Sequence, residues 1–411
     1  MPSASTNTPL APTHAMSGAT TVVVLSLLLG LQPITTDLYL PALPALQENL
    51  GATFSQTQLT LTALLLAFGL SQLVWGPLSD RYGRRPILLT GLVAYVLASV
   101  ASALAPAMSW LIAARIVQGA AMGAGVMCAR AIVRDLYRPL EGARVMSKGL
   151  TGLGITACFS PALGGLLADW LNWRAALLAL SVYGALALAL VLWRYQETLA
   201  QPNPQALRLG TLLSAWRDIL RHPTFRTYSA LAATSYAGLF FFLAGSSFVF
   251  IQLMQLSRTA YGLLMFSISL AYIAGTLVCR RLVPRIGVPR TVAWAAGLTL
   301  TGGTLMALAV WSGLQTTWAL MTPFYLFMLA HGVHQPCSQS GAIGPFPRTA
   351  GTASALNGFL MMVTAFVAGG WLGARMDGTA WPMVLGIWVS SMGVALVAWT
   401  GVQRHGQPSD H

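Results

Sequence analysis

Between residues 18 and 402, long apolar runs alternate with short polar intervals. Twelve runs stand out, at about 18–42, 57–78, 86–105, 109–130, 147–168, 173–195, 227–252, 259–283, 289–311, 317–341, 350–373 and 380–402. Each supplies the ~20 residues that a helix needs to cross a ~30 Å hydrocarbon core. Backbone groups inside lipid must be satisfied within their own segment, so the pattern predicts twelve transmembrane helices in an all-α polytopic membrane protein. The longest polar interval, Glu197 to Arg226, splits the twelve into two sets of six. It holds Pro202 and Pro204, then an amphipathic stretch from Leu212 to Leu220 with Trp216, Arg217 and Arg221. That stretch predicts a surface helix lying on anionic lipid. The expected organisation is a disordered tail over 1–17, a six-helix bundle over 18–195, a cytoplasmic linker over 196–226, a second six-helix bundle over 227–402 and a tail over 403–411. Residues 1–17 contain no Lys or Arg, unlike the basic start of a secretory signal.

Composition agrees with the pattern. Of 411 residues, 55% are hydrophobic and only 8% charged, too few charges to cover a soluble protein of this length. A net charge of +13 raises the possibility of nucleic acid, but the basic residues form no patch in a soluble segment. Nineteen Lys and Arg fall in the loops on one side; Arg174, Arg258 and Arg375 fall on the other, and Arg115 is left inside a run. This asymmetry predicts that both termini face the cytoplasm. Trp110, Trp170, Trp173, Trp311, Trp318, Trp371 and Trp381 lie near the expected outer ends, as an interfacial belt requires. The four cysteines sit in or beside apolar runs, where they serve as small packing residues. No nucleophile elbow, phosphate-binding glycine loop or Cys/His cluster is present. The expectation is therefore a monomer with no enzyme activity, no ATP-driven pumping, no cofactor and no metal, with the bilayer as a partner.

The most distinctive polar interval is Gly76-Pro77-Leu78-Ser79-Asp80-Arg81-Tyr82-Gly83-Arg84-Arg85-Pro86. So much charge between two spans must lie in water as a tight turn; Gly83 permits the turn and Pro86 suits the first turn of the next helix. The pattern resembles the signature between helices two and three of major facilitator superfamily transporters. That resemblance implies two six-helix halves rocking about a central site, and a latch made by Gly76, Asp80, Arg81, Gly83, Arg84 and Arg85. Asp80 is expected beside the N-terminus of helix eleven, around residues 349–354, where free amides and the helix dipole favour an anion. Arg280-Arg281-Leu282-Val283-Pro284-Arg285-Ile286-Gly287 echoes the motif in the second half without its aspartate, as an internal repeat predicts.

Of ten carboxylates only Asp37 falls within a run, and an ionisable group there is a functional candidate unless it snorkels to outer water. Thr36-Asp37-Leu38-Tyr39-Leu40-Pro41-Ala42-Leu43-Pro44 resembles the first helix of Bcr/CflA-type drug–proton antiporters, which implies a proton-coupling role. Arg115 opens Arg115-Ile116-Val117-Gln118-Gly119, similar to the superfamily pattern R-x-x-Q-G associated with proton transfer; a structural tie between helices is the other reading. Asp37 and Arg115 lie at similar depth, so they are expected to interact directly or through water and Gln118. Burial would then disfavour the carboxylate and the guanidinium favour it.

Helix five carries Ser160-Pro161-Ala162-Leu163-Gly164-Gly165, which resembles the antiporter motif G-P-x-x-G-G with Ser160 in place of its first glycine. Small residues there allow close helix approach, and Pro161 frees a carbonyl. His331 and His334 share one face of helix ten and suit substrate contact, proton handling or a hydrogen-bonded structural role. Gln32, Tyr39, Gln118, Met122, Tyr236, Phe240 and Tyr325 complete the expected substrate-binding set with the two histidines. The function implied is proton-coupled export of drugs or other small organic molecules; the alternatives are a proton-coupled importer of a metabolite and a non-transporting membrane receptor or scaffold.

Overall fold

The computed structural model describes residues 17–406. The expected tails fall outside these residues except at their inner edges, where Ser17 caps the first helix and Val402–His405 is helical. Twelve long helices run in two sets of six: α1 (Gly18–Asp37), α2 (Phe54–Tyr82), α3 (Arg84–Ala103), α4 (Met108–Leu136), α5 (Pro139–Trp170) and α6 (Trp173–Arg194), then α7 (Pro223–Ser247), α8 (258–286), α9 (288–311), α10 (Thr317–Ile343), α11 (Ala350–Arg375) and α12 (Trp381–Leu396). The described residues contain no strand. α8 and α9 form one helical run, Arg258–Trp311, broken only at Gly287 (φ 77°). Apolar length alone finds ten membrane-crossing helices; the broken run contributes two of the twelve, and α10 is diluted by His331, His334 and Gln335.

Local chemistry sets the helix ends. Thr53 and Gln56 cap α2 reciprocally, with Gln56 N–H donating to Thr53 Oγ1 at 3.2 Å and Thr53 N–H to Gln56 Oε1 at 3.0 Å. Asn172, Ser257 and Thr316 each accept a backbone N–H at the start of α6, α8 and α10. The turn between α2 and α3 rests on Gly83 at φ 100°, and its echo on Gly287 at φ 77°. Both lie in a region that side chains disfavour, so the repeat read from the sequence is also a backbone repeat.

Three expectations change. The α1 run does not end near Ala42: after the break at Asp37 it continues as a 3₁₀ turn, Leu40–Ala42, and a helix, Leu43–Asn49. Pro41 and Pro44 fit the first positions of these new turns, where no N–H is needed. The linker helix, Leu209–Arg221, turns its apolar stripe toward the bundle: Ile219 is buried and Trp216 packs on the core beneath α7 and α11. Among its described side chains, Leu213 and Leu220 are the large apolar groups that stay exposed. Trp173 is 2% exposed, under the guanidinium of Arg174, rather than part of the interfacial belt.

The halves meet along two seams, α2 with α11 and α5 with α8. At the end away from the basic loops the seams are sealed. Thr259 donates through N–H (2.8 Å) and Oγ1 (2.6 Å) to Asp169, Arg258 donates to the Ala168 carbonyl at 3.0 Å, and Gln58 donates to the Ala244 carbonyl. Phe54 meets the edge of Phe248 there. At the basic end a cavity of ≈ 620 Å³ opens between the halves, lined by α2, α4, α11 and the linker.

Candidate functional site

At the basic end the guanidinium of Arg84, 2% exposed, collects three partners. It donates to Asp80 at 2.6 Å, to Ser79 Oγ at 2.8 Å and to Asp135 at 2.9 Å. Charge-assisted bonds of this kind hold a buried guanidinium in place. The start of α3 is capped from the linker: Glu197 accepts the N–H of Arg84 and of Arg85, each at 2.9 Å, and those of Thr198 and Leu199. Arg85 turns back to the Tyr195 carbonyl at 3.0 Å, and Arg81 lies over the Tyr82 ring without an acidic partner among the described residues. Asp80 faces residues 349–355 across the cavity, which Gly76 also lines. Its ionic partners, however, are Arg84 and Arg134 (3.6 Å), not the amides of α11. A buried Arg84 one turn away claims the short carboxylate. The link to α11 is made by Arg130, whose Nη1 donates to Ser354 Oγ at 2.9 Å. Asp135, Glu197 and Arg130 went unnoticed in the sequence because their partners lie far off along the chain.

Deep in the first half, Arg115 is fully buried. Nη2 donates to the Thr35 carbonyl at 3.0 Å, Nη1 to Gln118 Oε1 at 2.7 Å, and the guanidinium carbon sits 4.4 Å from the centre of the Tyr39 ring. Gln118 passes the chain on to Ser99 Oγ at 2.6 Å, Tyr39 bonds Thr60 at 2.9 Å, and Tyr95 bonds the Thr35 hydroxyl at 2.6 Å. The cluster ties α1, α2, α3 and α4 together. Among the described residues no carboxylate pairs with Arg115, and its Nε is sealed without a partner.

Among the described residues Asp37 and Arg115 form no direct pair, for a geometric reason. Arg115 reaches the carbonyl of Thr35, so the two groups do share a level. Two residues along a helix are ~200° around its axis, which turns Asp37 to the opposite face of α1. There it accepts from Thr36 Oγ1 at 2.7 Å, within electrostatic range of Cys158 on α5, Tyr236 on α7 and Tyr261 on α8. Asp37 is half-buried and lies at the break in α1, twelve residues before the helix Leu43–Asn49 ends.

The second half mirrors the Arg115 cluster with different chemistry. From α10, His331 Nδ1 bonds Ser235 Oγ of α7 at 2.8 Å, and His334 Nε2 bonds Thr299 Oγ1 of α9 at 3.1 Å. In the first half, Arg115 and Gln118, also three residues apart, reach α1 and α3 from α4. His331 additionally closes an aromatic ladder with Phe327 (6.4 Å) and Tyr272 (5.7 Å). His334 is sealed among α9 and α10, its Nδ1 without a hydrogen bond.

The remaining candidates divide by position. Tyr39, Gln118 and Met122 are buried in the first half, Tyr39 under the guanidinium of Arg115 and Gln118 accepting from it. Gln32 is half-buried, Tyr236 stacks on Phe240 at 6.5 Å, and Tyr325 bonds Ser267 Oγ at 2.7 Å. On α5, Ser160 bonds back to the Thr156 carbonyl at 2.5 Å. Below it, Gly164 lies against the backbone of Leu38 and Gly165 against that of Arg258, while the Pro161 carbonyl abuts Gly262. The small residues of this motif let α5 touch α1 on one side and the other half on the opposite side.

Comparison with known proteins follows the same architecture. Residues 25–369 match the family model described as Major Facilitator Superfamily. The chain is 30% identical over 394 residues to multidrug resistance protein D of Escherichia coli K12, covering 94% of this chain and 98% of that protein. It is 31% identical over 373 residues to a chloramphenicol resistance protein of Pseudomonas aeruginosa, covering 89% and 87%. Among solved structures it resembles the partially occluded inward-open xylose transporter XylE of E. coli, with a TM-score of 0.73, 14% identity and coverage of 95% and 100%. With twelve helices in two halves, paired glycine turns and this match over most of its length, the chain belongs to the Major Facilitator Superfamily of membrane transporters.

Proposed function

We propose that this protein exports drugs or other small organic molecules across the bacterial inner membrane by proton-coupled alternating access. The basic end faces the cytoplasm, where the excess of Lys and Arg belongs, so both termini are cytoplasmic. The observation that carries the reading is Asp37: a carboxylate deep in the membrane, at a break in α1, turned toward the second half. Proteins similar to this one are named for resistance to multiple drugs, chloramphenicol and bicyclomycin, which supports an organic substrate. In the sealed-outside arrangement Asp37 looks across at Tyr236 and Tyr261. As the halves rock, its surroundings change between a drier and a wetter setting, and the change in the cost of its charge drives proton uptake or release. Arg115 acts from behind α1 through Thr35, as a fixed positive charge one helix away.

The test is expression in a bacterial host stripped of its own exporters, followed by reconstitution into proteoliposomes. The unaltered protein raises the resistance of the host to chloramphenicol or bicyclomycin, and Asp37→Asn abolishes that gain at equal membrane abundance. Proton-driven transport at the unaltered rate by reconstituted Asp37→Asn would overturn the coupling role. No change in resistance from the unaltered protein would overturn these two compounds as substrates.

A further inference from the structure

Two of the four cysteines meet. Cys279 on α8 and Cys337 on α10 are both buried, both free, and hold their sulfurs 3.6 Å apart. The packing just above explains the contact. At Gly275 a Cβ would strike the Leu329 carbonyl carbon at 2.8 Å, and at Gly332 it would lie 2.9 Å from the Thr276 amide nitrogen. Both glycines are needed for the α8 and α10 backbones to touch, and one turn further on the two thiols are left facing each other. Cys128 instead donates to the Arg84 carbonyl at 3.7 Å, and Cys158 lies on α5 with no second thiol against it.

We propose that Cys279 and Cys337 are an oxidisable dithiol, a modification site that closes into a disulfide between α8 and α10. Disulfide sulfurs sit ~2.0 Å apart, so closure needs a relative shift of only about 1.6 Å from the observed spacing. Cys279 directly precedes Arg280 and Arg281, which places the pair at the basic end. On the cytoplasmic side assigned above, the pair rests as thiols and closes only when an oxidant arrives. With a diazenedicarboxamide (diamide) the step balances. One thiol adds across the N=N bond, the second sulfur attacks the first as a thiolate, and the hydrazine leaves carrying two hydrogens and two electrons. The product fixes α8, the second-half helix seated on α5, to α10, which packs only within its own half among the main helix contacts.

The experiment uses the full-length protein in lipid nanodiscs, reduced and then exposed to diamide. Remaining thiols are blocked with N-ethylmaleimide under denaturing conditions, disulfides are reduced, and the newly freed thiols take iodoacetamide before mass spectrometry. The second label is expected on Cys279 and Cys337 in equal amounts, with Cys128 and Cys158 carrying the first. A linked Cys279–Cys337 peptide should appear when the reduction is omitted. In Cys279→Ser and Cys337→Ser the second label should vanish from the surviving partner. N-ethylmaleimide on all four cysteines, or a linkage through Cys128 or Cys158, would overturn the proposal. The linked peptide is read on the unaltered protein, so misfolding of a serine variant does not blunt the test.

Discussion

Replacing Arg115 by methionine tests whether its charge serves the mechanism or only the fold. Methionine has similar length and is flexible enough to occupy the space over the Tyr39 ring. The substitution removes two hydrogen bonds from a charged donor, each worth about 1.5–3 kcal/mol, and a desolvated cation–π contact worth about 2 kcal/mol. It also removes a buried cation without a counter-ion, whose effective desolvation cost is several kcal/mol. The gains and losses are of the same size, so the net loss of stability should not exceed about 3 kcal/mol. Fluorescence-monitored thermal unfolding in detergent should therefore show Arg115→Met only slightly below the unaltered protein. Proton-driven transport in proteoliposomes should nevertheless be lost. Arg115→Lys keeps the charge but not the fork that reaches Thr35 and Gln118 together, and should retain part of the activity. Unimpaired proton-driven transport by Arg115→Met would refute the reasoning and leave Arg115 a structural tie.

Other outcomes follow from single contacts. Glu197→Ala strips the cap from α3 and should cost about 1–2 kcal/mol, read as a lower unfolding temperature; an unchanged temperature would dismiss the cap. His331→Gln should shift the profile of exported compounds at normal expression, whereas His334→Gln should mainly lower expression, because it leaves Thr299 and a sealed position poorly filled; identical behaviour of both would remove the distinction. Arg130→Met deletes the hydrogen bond to Ser354 and should loosen the basic end, so that a cysteine at Thr352→Cys labels faster from that side; an unchanged labelling rate would show that the bond does not hold the halves together.

The twelve helices and the turn at Gly83 were legible because each has a local cause. Apolar length dictates the spans, and a glycine among arginines between two spans admits few arrangements other than a tight turn. The cap by Glu197 and the Asp135–Arg84 pair were not, since nothing near either carboxylate says which distant group it will meet. The Asp37–Arg115 relation shows the dividing line most clearly. Arg115 reaches α1 at the level of Asp37, but which way a side chain faces depends on how each helix is rotated against its neighbours, and spacing along the chain does not carry that. α1 also breaks at Asp37, which a periodic reading of Gly18 to Ala42 smooths over.

The mirrored clusters on α4 and α10 were hidden for a different reason. Arg115 and Gln118 share no chemistry with His331 and His334 that a sequence comparison would align. Yet each pair, three residues apart, ties its helix to the first and third helices of its half through Thr35 and Ser99, or through Ser235 and Thr299. What the repeat preserves is the position of a polar tie, not the residue that makes it. The first half fills that position with a permanent cation, and the second with two imidazoles bonded to hydroxyls. Asp37 lies in the same half as the cation, on the other face of the helix that Arg115 grips. On the proposed mechanism, a displacement of α1 that carries Asp37 between dry and wet surroundings would also move the carbonyl on which the guanidinium rests, and this shared helix would couple the fixed charge to the titrating one.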